Sequence, residues 1–296
     1  MFYLILAGIS FGTIGLFVNL IGDNISTLLI VSIRLLSTAT LIYLYQVIKG
    51  TRKKIRLNSR REIYTVIIGG VIGFATTFSL YLKSLLLIPV SEAVFLHYLA
   101  FPFTTILYSY LFLNEEVTYY EIISLLGTIA GVFLIYNVGF SRGLTSIIGY
   151  SIAFVSGITY TAALLVLKNL GENRTTLQTL FWPAFVGGTG LLPVALLGGF
   201  TFKPGDGTLP PLLGLVLVST LLGYSLFARG LKETRAGLSS VILITVEPLS
   251  AALMAVFFLG ERLNPPTVMG GGLVIISGLF LYIGDIRTKR RTKEAG

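Results

Sequence analysis

Ten long apolar stretches, separated by short polar segments, make up most of this chain. They cover residues 2–21, 25–48, 63–86, 90–112, 119–138, 144–167, 177–200, 209–230, 236–258 and 265–285. A helix needs about 20 apolar residues to cross the hydrocarbon core of a bilayer. Polar pairs with the spacing of a capping box precede three of the stretches: Ser59 with Glu62, Thr118 with Glu121, and Thr175 with Gln178. The pattern predicts an all-α integral membrane protein with ten transmembrane helices.

The composition excludes an ordinary soluble domain. The mean hydropathy is +0.86, and 12% of the 296 residues are charged, about half the roughly 25% typical of soluble proteins. The basic residues lie in short loops and a tail, so we interpret the pI near 9.7 as membrane anchoring and expect no nucleic-acid partner. The chain contains no cysteine, which excludes a disulfide framework and a thiolate metal site.

The positive charges are distributed unevenly about the predicted spans. Of the 22 lysines and arginines, 17 fall on one side of the membrane, in the loops and the tail. Four fall on the other side, Lys83, Arg142, Lys203 and Arg262, and Arg34 lies within a span. Because cytoplasmic loops carry the excess of positive charge, we expect both termini in the cytoplasm of a multi-pass protein of the cell membrane.

The two halves of the chain are related by an internal repeat. A shift of 146 residues superposes Ser10 on Ser156, Pro102 on Pro248, and 112–115 on 258–261. We therefore divide the chain into repeats 1–143 and 144–296, the second ending in the basic tail. Each repeat holds five spans, an odd number, so the second copy inserts upside down. Inverted repeats are typical of alternating-access transporters with a midplane substrate site, and Pro102 and Pro248 are candidate hinges.

Two ionisable residues are predicted near the bilayer midplane. At a rise of 1.5 Å per residue, Arg34 lies about 14 Å from the outer end of its span and Glu247 about 16 Å from the inner end of its own. A charge at this depth needs a partner or a wet cavity. One interpretation is an internal ion pair, or hydrogen bonds that lock helix packing. The other is a shared polar site, in which Arg34 receives a carboxylate and Glu247 an ammonium group or a proton.

Three further residues are candidates for the same site. His97 is the only histidine; it can carry a proton or bind an anionic group, or simply bond to a neighbouring backbone carbonyl. Tyr98 and Trp182 are candidates for lining a cavity, with packing or interface anchoring as the alternative.

Glu115 and Glu261 occupy equivalent positions at the ends of the fourth and ninth spans. We interpret both as clasps that accept backbone amides of the helix that follows each turn. The glycine-rich fifth and tenth spans indicate close helix contact. They leave a homodimer interface open, although we favour a monomer.

The sequence argues against an enzyme. Residues 8–12 match G-x-S-x-G, but that motif requires a strand-to-helix elbow, and here it lies within an apolar span. No His-Glu-x-x-His pattern, aspartate cluster or phosphate-binding loop occurs. We expect neither a cofactor nor a metal site. A channel lined by the midplane groups stays open as an alternative.

Two segments resemble a known family. The stretches FLNEEVTYYEIISLLGTIAGVFLI and VEPLSAALMAVFFLGERLNPPTVMGGGLVIISGLFL are similar to the paired signature of EamA-type members of the drug/metabolite transporter (DMT) superfamily. Arg34 matches an arginine common in that family's second helix, and Glu247 with Pro248 matches its ninth-helix Glu-Pro. The first half departs from the pattern, with Phe101-Pro102 in place of Glu-Pro and Asn114 in place of glycine.

The resemblance implies a ten-helix carrier that exports amino acids, drugs or other small metabolites, by proton exchange or facilitated diffusion. Since Arg34 and Glu247 offer opposite charges at similar depth, we predict export of amino acids or similar zwitterions by alternating access. Multidrug export and proton-coupled export of sugar-derived metabolites are the alternatives.

Overall fold

The protein is built from helices. The computed structural model describes residues 1–51, 55–57, 59–112, 119–140, 143–170, 175–198, 201–203, 205, 207–233 and 236–294. Within these ranges the extended pairing is limited to one isolated antiparallel bridge between Ile25 and Phe202. The predicted all-α class is therefore confirmed.

The helices follow the predicted apolar stretches closely. Twelve α-helices lie in the described ranges: α1 Phe2–Ile21, α2 Thr27–Ile48, α3 Arg60–Ile68, α4 Thr77–Leu87, α5 Val90–Phe112, α6 Tyr119–Phe140, α7 Leu144–Leu170, α8 Thr176–Leu197, α9 Leu209–Gly214, α10 Gly223–Glu233, α11 Ala236–Leu259 and α12 Pro265–Glu294. The first turn of α3 has its expected cap, Ser59 Oγ accepting the Glu62 amide at 3.1 Å, and Thr175 forms a complete capping box with Gln178. Thr118 lies outside the described residues.

In the part of the chain that the structure describes, five helical segments are long and apolar enough to cross a bilayer: Phe2–Asn24, Thr27–Ile48, Arg60–Leu87, Leu177–Leu197 and Leu209–Phe227. Within the described ranges, five shorter apolar segments accompany them, in α5, α6, α7, α11 and α12. This arrangement is that of a membrane-embedded helical protein. The count of ten spans and the side on which each terminus lies stay predictions.

Two π-helical segments interrupt the α-helical structure. Gly69–Thr76 joins α3 to α4, and Leu215–Leu222 joins α9 to α10. In each segment a threonine hydroxyl donates to the carbonyl five residues earlier, Thr76 to Val71 at 3.0 Å and Thr220 to Leu215 at 2.8 Å. Each hydroxyl bond therefore spans the same five residues as the backbone bonds of a π-helix. The two π segments begin 146 residues apart, the offset of the sequence repeat.

Helix packing pairs elements from the two halves. The helix α1 packs on α11 and α5 on α7, while α2 packs on α8 and α6 on α12. The offset of 146 residues carries α1 onto α7 and α11 onto α5, so each contact has a counterpart in the other half. The core therefore forms between the halves rather than within each one.

Glycines permit the close approach of α6 and α12. A Cβ atom on Gly270 would lie 2.9 Å from the Gly131 carbonyl oxygen, and one on Gly127 would collide with the Ser277 hydroxyl. These glycines of the predicted fifth and tenth spans serve a contact within one chain, as small residues do between membrane helices.

Candidate functional site

A small buried cavity of about 30 Å³ lies between seven helices. Its lining side chains come from α1, α2, α4, α5, α7, α10 and α11: Phe11, Ile14, Arg34, Phe78, Tyr81, His97, Tyr98, Tyr160, Tyr224 and Glu247. Both halves of the chain contribute. The structure thus brings four of the five predicted substrate-binding residues to one place, namely Arg34, His97, Tyr98 and Glu247.

Within the described part of the chain, Arg34 makes two side-chain contacts and keeps one buried donor atom without a partner. Its side chain is 1% exposed, Nε donates to Thr220 Oγ1 at 2.7 Å, and the guanidinium carbon lies 4.6 Å from the centre of the Phe78 ring, in cation–π range. Its Nη1 is buried and has no hydrogen-bond partner among the residues described. A buried charged donor without a partner costs free energy. An anionic group bound at Nη1 would remove this cost.

Glu247 offers the opposite charge to the same cavity. It is 8% exposed, and Tyr98 lines the cavity beside it. In the described part of the chain no ion pair joins Glu247 to Arg34, although both line one cavity. The two charges therefore interact across one cavity without the direct ion pair considered from sequence.

His97 lines the same cavity and is surrounded by three tyrosine rings. The imidazole centre is 4.5 Å from the Tyr81 ring, 5.3 Å from that of Tyr98 and 5.1 Å from that of Tyr160. Its Nδ1 lies 2.7 Å from Ser156 Oγ on α7. The backbone carbonyl considered as its partner from sequence is therefore replaced by a side-chain hydroxyl.

Trp182 does not belong to the cavity. Its indole Nε1 donates to the Ile55 carbonyl oxygen at 2.5 Å, and its ring packs edge-on against Phe181 at 5.0 Å. The prediction that it lines the cavity is corrected, because the indole N–H is bound to the segment that precedes α3.

Four polar residues at the site were missed from sequence: the lining residues Tyr81, Tyr160 and Tyr224, and Thr220, which binds Arg34. With 15 tyrosines in the chain, no single one stands out. The repeat carried a usable signal, since Phe78 and Tyr224 are 146 residues apart and both line the cavity. The other lining pair at this offset is Ile14 with Tyr160.

Glu261 is a clasp, but for a different helix from the one predicted. Its carboxylate accepts the amides of Val90 at 2.5 Å and Ser91 at 3.2 Å, and the Ser91 hydroxyl at 2.9 Å. The donors therefore belong to the start of α5, where the helix dipole favours negative charge, and the prediction of donors from the next helix is wrong. Its counterpart Glu115 lies outside the described residues.

The candidate hinge prolines both lie within helices. Pro102 is in α5 and Pro248 is in α11, directly after Glu247. A proline lacks an amide hydrogen and removes one bond from the helical ladder. The α11 backbone is thus weakened beside the cavity.

The fold and the sequence have known counterparts. A solved crystal structure of a protein with 15% sequence identity superposes with a TM-score of 0.66 over 97% of each chain, a likeness of fold alone. An uncharacterized inner membrane transporter, YicL of Salmonella typhimurium, is 25% identical over 98% of this chain and 97% of its own. An uncharacterized transporter of Archaeoglobus fulgidus is 27% identical over 45% of this chain and 47% of its own. The family model for EamA-like transporters matches residues 1–137 and again 147–283, and the chain therefore belongs to the EamA-like transporter family.

Proposed function

We propose that this protein is a secondary active or facilitative carrier that exports small organic metabolites from the cell, with amino acids or similar zwitterions as its cargo. The observation that carries the proposal is the presence of Arg34 and Glu247 on one buried cavity without an ion pair between them in the described chain. A zwitterion satisfies both charges at once, its carboxylate at Nη1 of Arg34 and its ammonium group at Glu247. The Tyr98 hydroxyl then orients the Glu247 carboxylate.

The size of the cavity supports transport by alternating access. About 30 Å³ holds only one or two water molecules, so cargo of amino-acid size enters only when the helices separate. The family model matches two segments that begin 146 residues apart, which supports a pair of repeats at 1–143 and 144–296. In this proposal ten spans form two inverted halves, both termini face the cytoplasm, and the halves rock about the cavity in the cell membrane.

A second cargo class is favoured by the aromatic lining. Four tyrosines and two phenylalanines surround the cavity, and aromatic faces attract organic cations. Export of cationic or flat drug-like compounds, with Glu247 exchanging a proton, is the alternative on this ground.

Counterflow in proteoliposomes tests the proposal. Vesicles are preloaded with unlabelled amino acids, and entry of each labelled amino acid is followed at equal internal and external pH. Saturable accumulation of a label, lost in the variant Arg34→Gln, is the expected result. Absence of counterflow for every amino acid, with counterflow of a cationic dye, would favour the second cargo class. Flux that never saturates would indicate a channel.

A further inference from the structure

The hydrogen bonds around Ser156 determine where the proton of His97 lies. Ser156 Oγ lies 2.6 Å from the Ala153 carbonyl oxygen and 2.7 Å from His97 Nδ1. All three groups are buried. Two oxygens at 2.6 Å require a proton between them, and a carbonyl oxygen has none to give.

The serine hydroxyl has a single hydrogen. Because that hydrogen is donated to Ala153, the bond between Ser156 and His97 must be made by a hydrogen on Nδ1. A neutral imidazole carries a hydrogen on one nitrogen only, so its other nitrogen, Nε2, holds a lone pair. In the described part of the chain, no hydrogen bond is formed at Nε2.

We infer that Ser156 is a positioning residue, which holds neutral His97 as the Nδ1–H tautomer so that Nε2 accepts a hydrogen bond from an N–H or O–H group of the cargo. This inference rests on the proposed function and deepens it. The cavity then has a donor region at Arg34 and an acceptor region at Glu247 and His97. The site therefore selects cargo that has a hydrogen-bond acceptor at the end near Arg34 and more than one donor hydrogen at the end near Glu247 and His97. An amino acid meets both requirements, with its carboxylate and its ammonium group.

The single histidine of the chain allows a direct test of the tautomer. Full-length protein is labelled with ¹⁵N-histidine, its affinity tag is removed, and the two ring nitrogens are read by NMR at neutral pH. A protonated Nδ1 and an unprotonated Nε2 are expected. A spectrum with the proton on Nε2, or on both nitrogens, would overturn the inference without any transport measurement.

Transport by two matched serine variants tests the role in cargo binding. Ser156→Ala removes the acceptor for Nδ1–H, so the Nε2–H tautomer should gain population and the KM for counterflow should rise about 10-fold, as expected for loss of a hydrogen bond to a charged group. Ser124→Ala removes another buried hydroxyl, which donates to the Ser277 carbonyl at 2.9 Å. This bond joins α6 to α12, neither of which lines the cavity, so the control variant should change neither the tautomer nor the KM. A Ser156→Ala protein that elutes as wild type, shows the altered tautomer and keeps its KM would contradict the cargo contact.

The two proposals fail in different ways. Absence of counterflow in wild-type protein, with the Nδ1–H tautomer observed, overturns the proposed cargo and leaves the tautomer established. Normal counterflow of wild-type protein with the Nε2–H tautomer overturns the role of Ser156 and leaves the proposed function standing.

Discussion

The Nε of Arg34 donates a 2.7 Å hydrogen bond to the hydroxyl of Thr220, 186 residues further along the chain. Thr220 lies in the π segment Leu215–Leu222 and donates in turn to the Leu215 carbonyl. The charge proposed to bind cargo is thus connected, through one hydroxyl, to an irregular stretch of backbone. Since π-bulges are common at functional sites, a change in this segment has a direct route to the guanidinium.

Replacing Thr220 with valine should weaken cargo binding. The variant Thr220→Val keeps the shape of the side chain but leaves Nε of Arg34 without its acceptor. Hydrogen bonds to charged groups contribute roughly 1.5–3 kcal/mol, so we expect the counterflow KM to rise at least about 10-fold. Thr220→Ser retains the hydroxyl and should behave nearly as wild type. Equal KM values for the valine and serine variants would show that the bond does not position Arg34.

The two cavity charges should contribute separately to transport. Glu247→Gln removes the carboxylate that we propose receives the ammonium group, so an amino acid should lose affinity while its analogue lacking the amino group should not. Arg34→Gln should affect both compounds, because both carry the carboxylate. Competition of each compound against labelled cargo measures the difference. An equal loss for both compounds in Glu247→Gln would contradict the assignment of the ammonium group.

The helices and the charged site could be predicted because their signals are local or rare. The apolar stretch 90–112 coincides with α5, Val90–Phe112, because a helix that crosses a bilayer needs about 20 apolar residues in succession. Arg34 and Glu247 could be placed in one cavity because charges within membrane helices are few and costly.

What could not be predicted depends on partners distant in sequence. The amides that Glu261 accepts lie 171 and 170 residues earlier, and only tertiary packing brings them there. The indole N–H of Trp182 donates to the Ile55 carbonyl oxygen, a partner that tertiary packing also brings close. The π segments have no shared sequence signature, since Gly69–Thr76 is glycine-rich and Leu215–Leu222 contains no glycine.

Gly157 should tolerate no larger side chain. A Cβ atom there would collide with the His97 carbonyl oxygen and the Ala100 methyl group, at the contact between α7 and α5. We expect Gly157→Ala to lower the melting temperature in detergent and to reduce transport. Gly190→Ala is the matched control, because its Cβ would meet no atom within 4 Å and alanine favours helix by about 1 kcal/mol. A Gly157→Ala protein as stable as Gly190→Ala would argue against the close helix contact.

The absence of cysteine makes the predicted topology testable with single-cysteine variants. Lys49 and Lys203 are both exposed, and the charge distribution assigns them to opposite sides of the membrane. A membrane-impermeant maleimide added to intact cells should label Lys203→Cys and leave Lys49→Cys unlabelled until the cells are lysed. The reverse pattern would invert the protein in the membrane, and labelling of both in intact cells would contradict the odd number of spans, five, that we predict between the two residues.

The Glu261 carboxylate should stabilise the start of α5 as a cap supplied from the far half of the chain. Glu261→Gln retains one acceptor oxygen but turns an amide NH₂ group toward the donors of Val90 and Ser91. Loss of a helix cap typically costs about 0.5–2 kcal/mol, and the charge lost here also faces the positive end of the helix dipole. We expect a melting temperature lower by a few degrees in detergent, while Arg262→Gln, a change at the exposed neighbouring residue, should have little effect.

If the two variants have the same melting temperature, the contact contributes no net stability. If Glu261→Gln melts normally but transports faster, the clasp instead restrains the separation of α5 from the far half during the transport cycle.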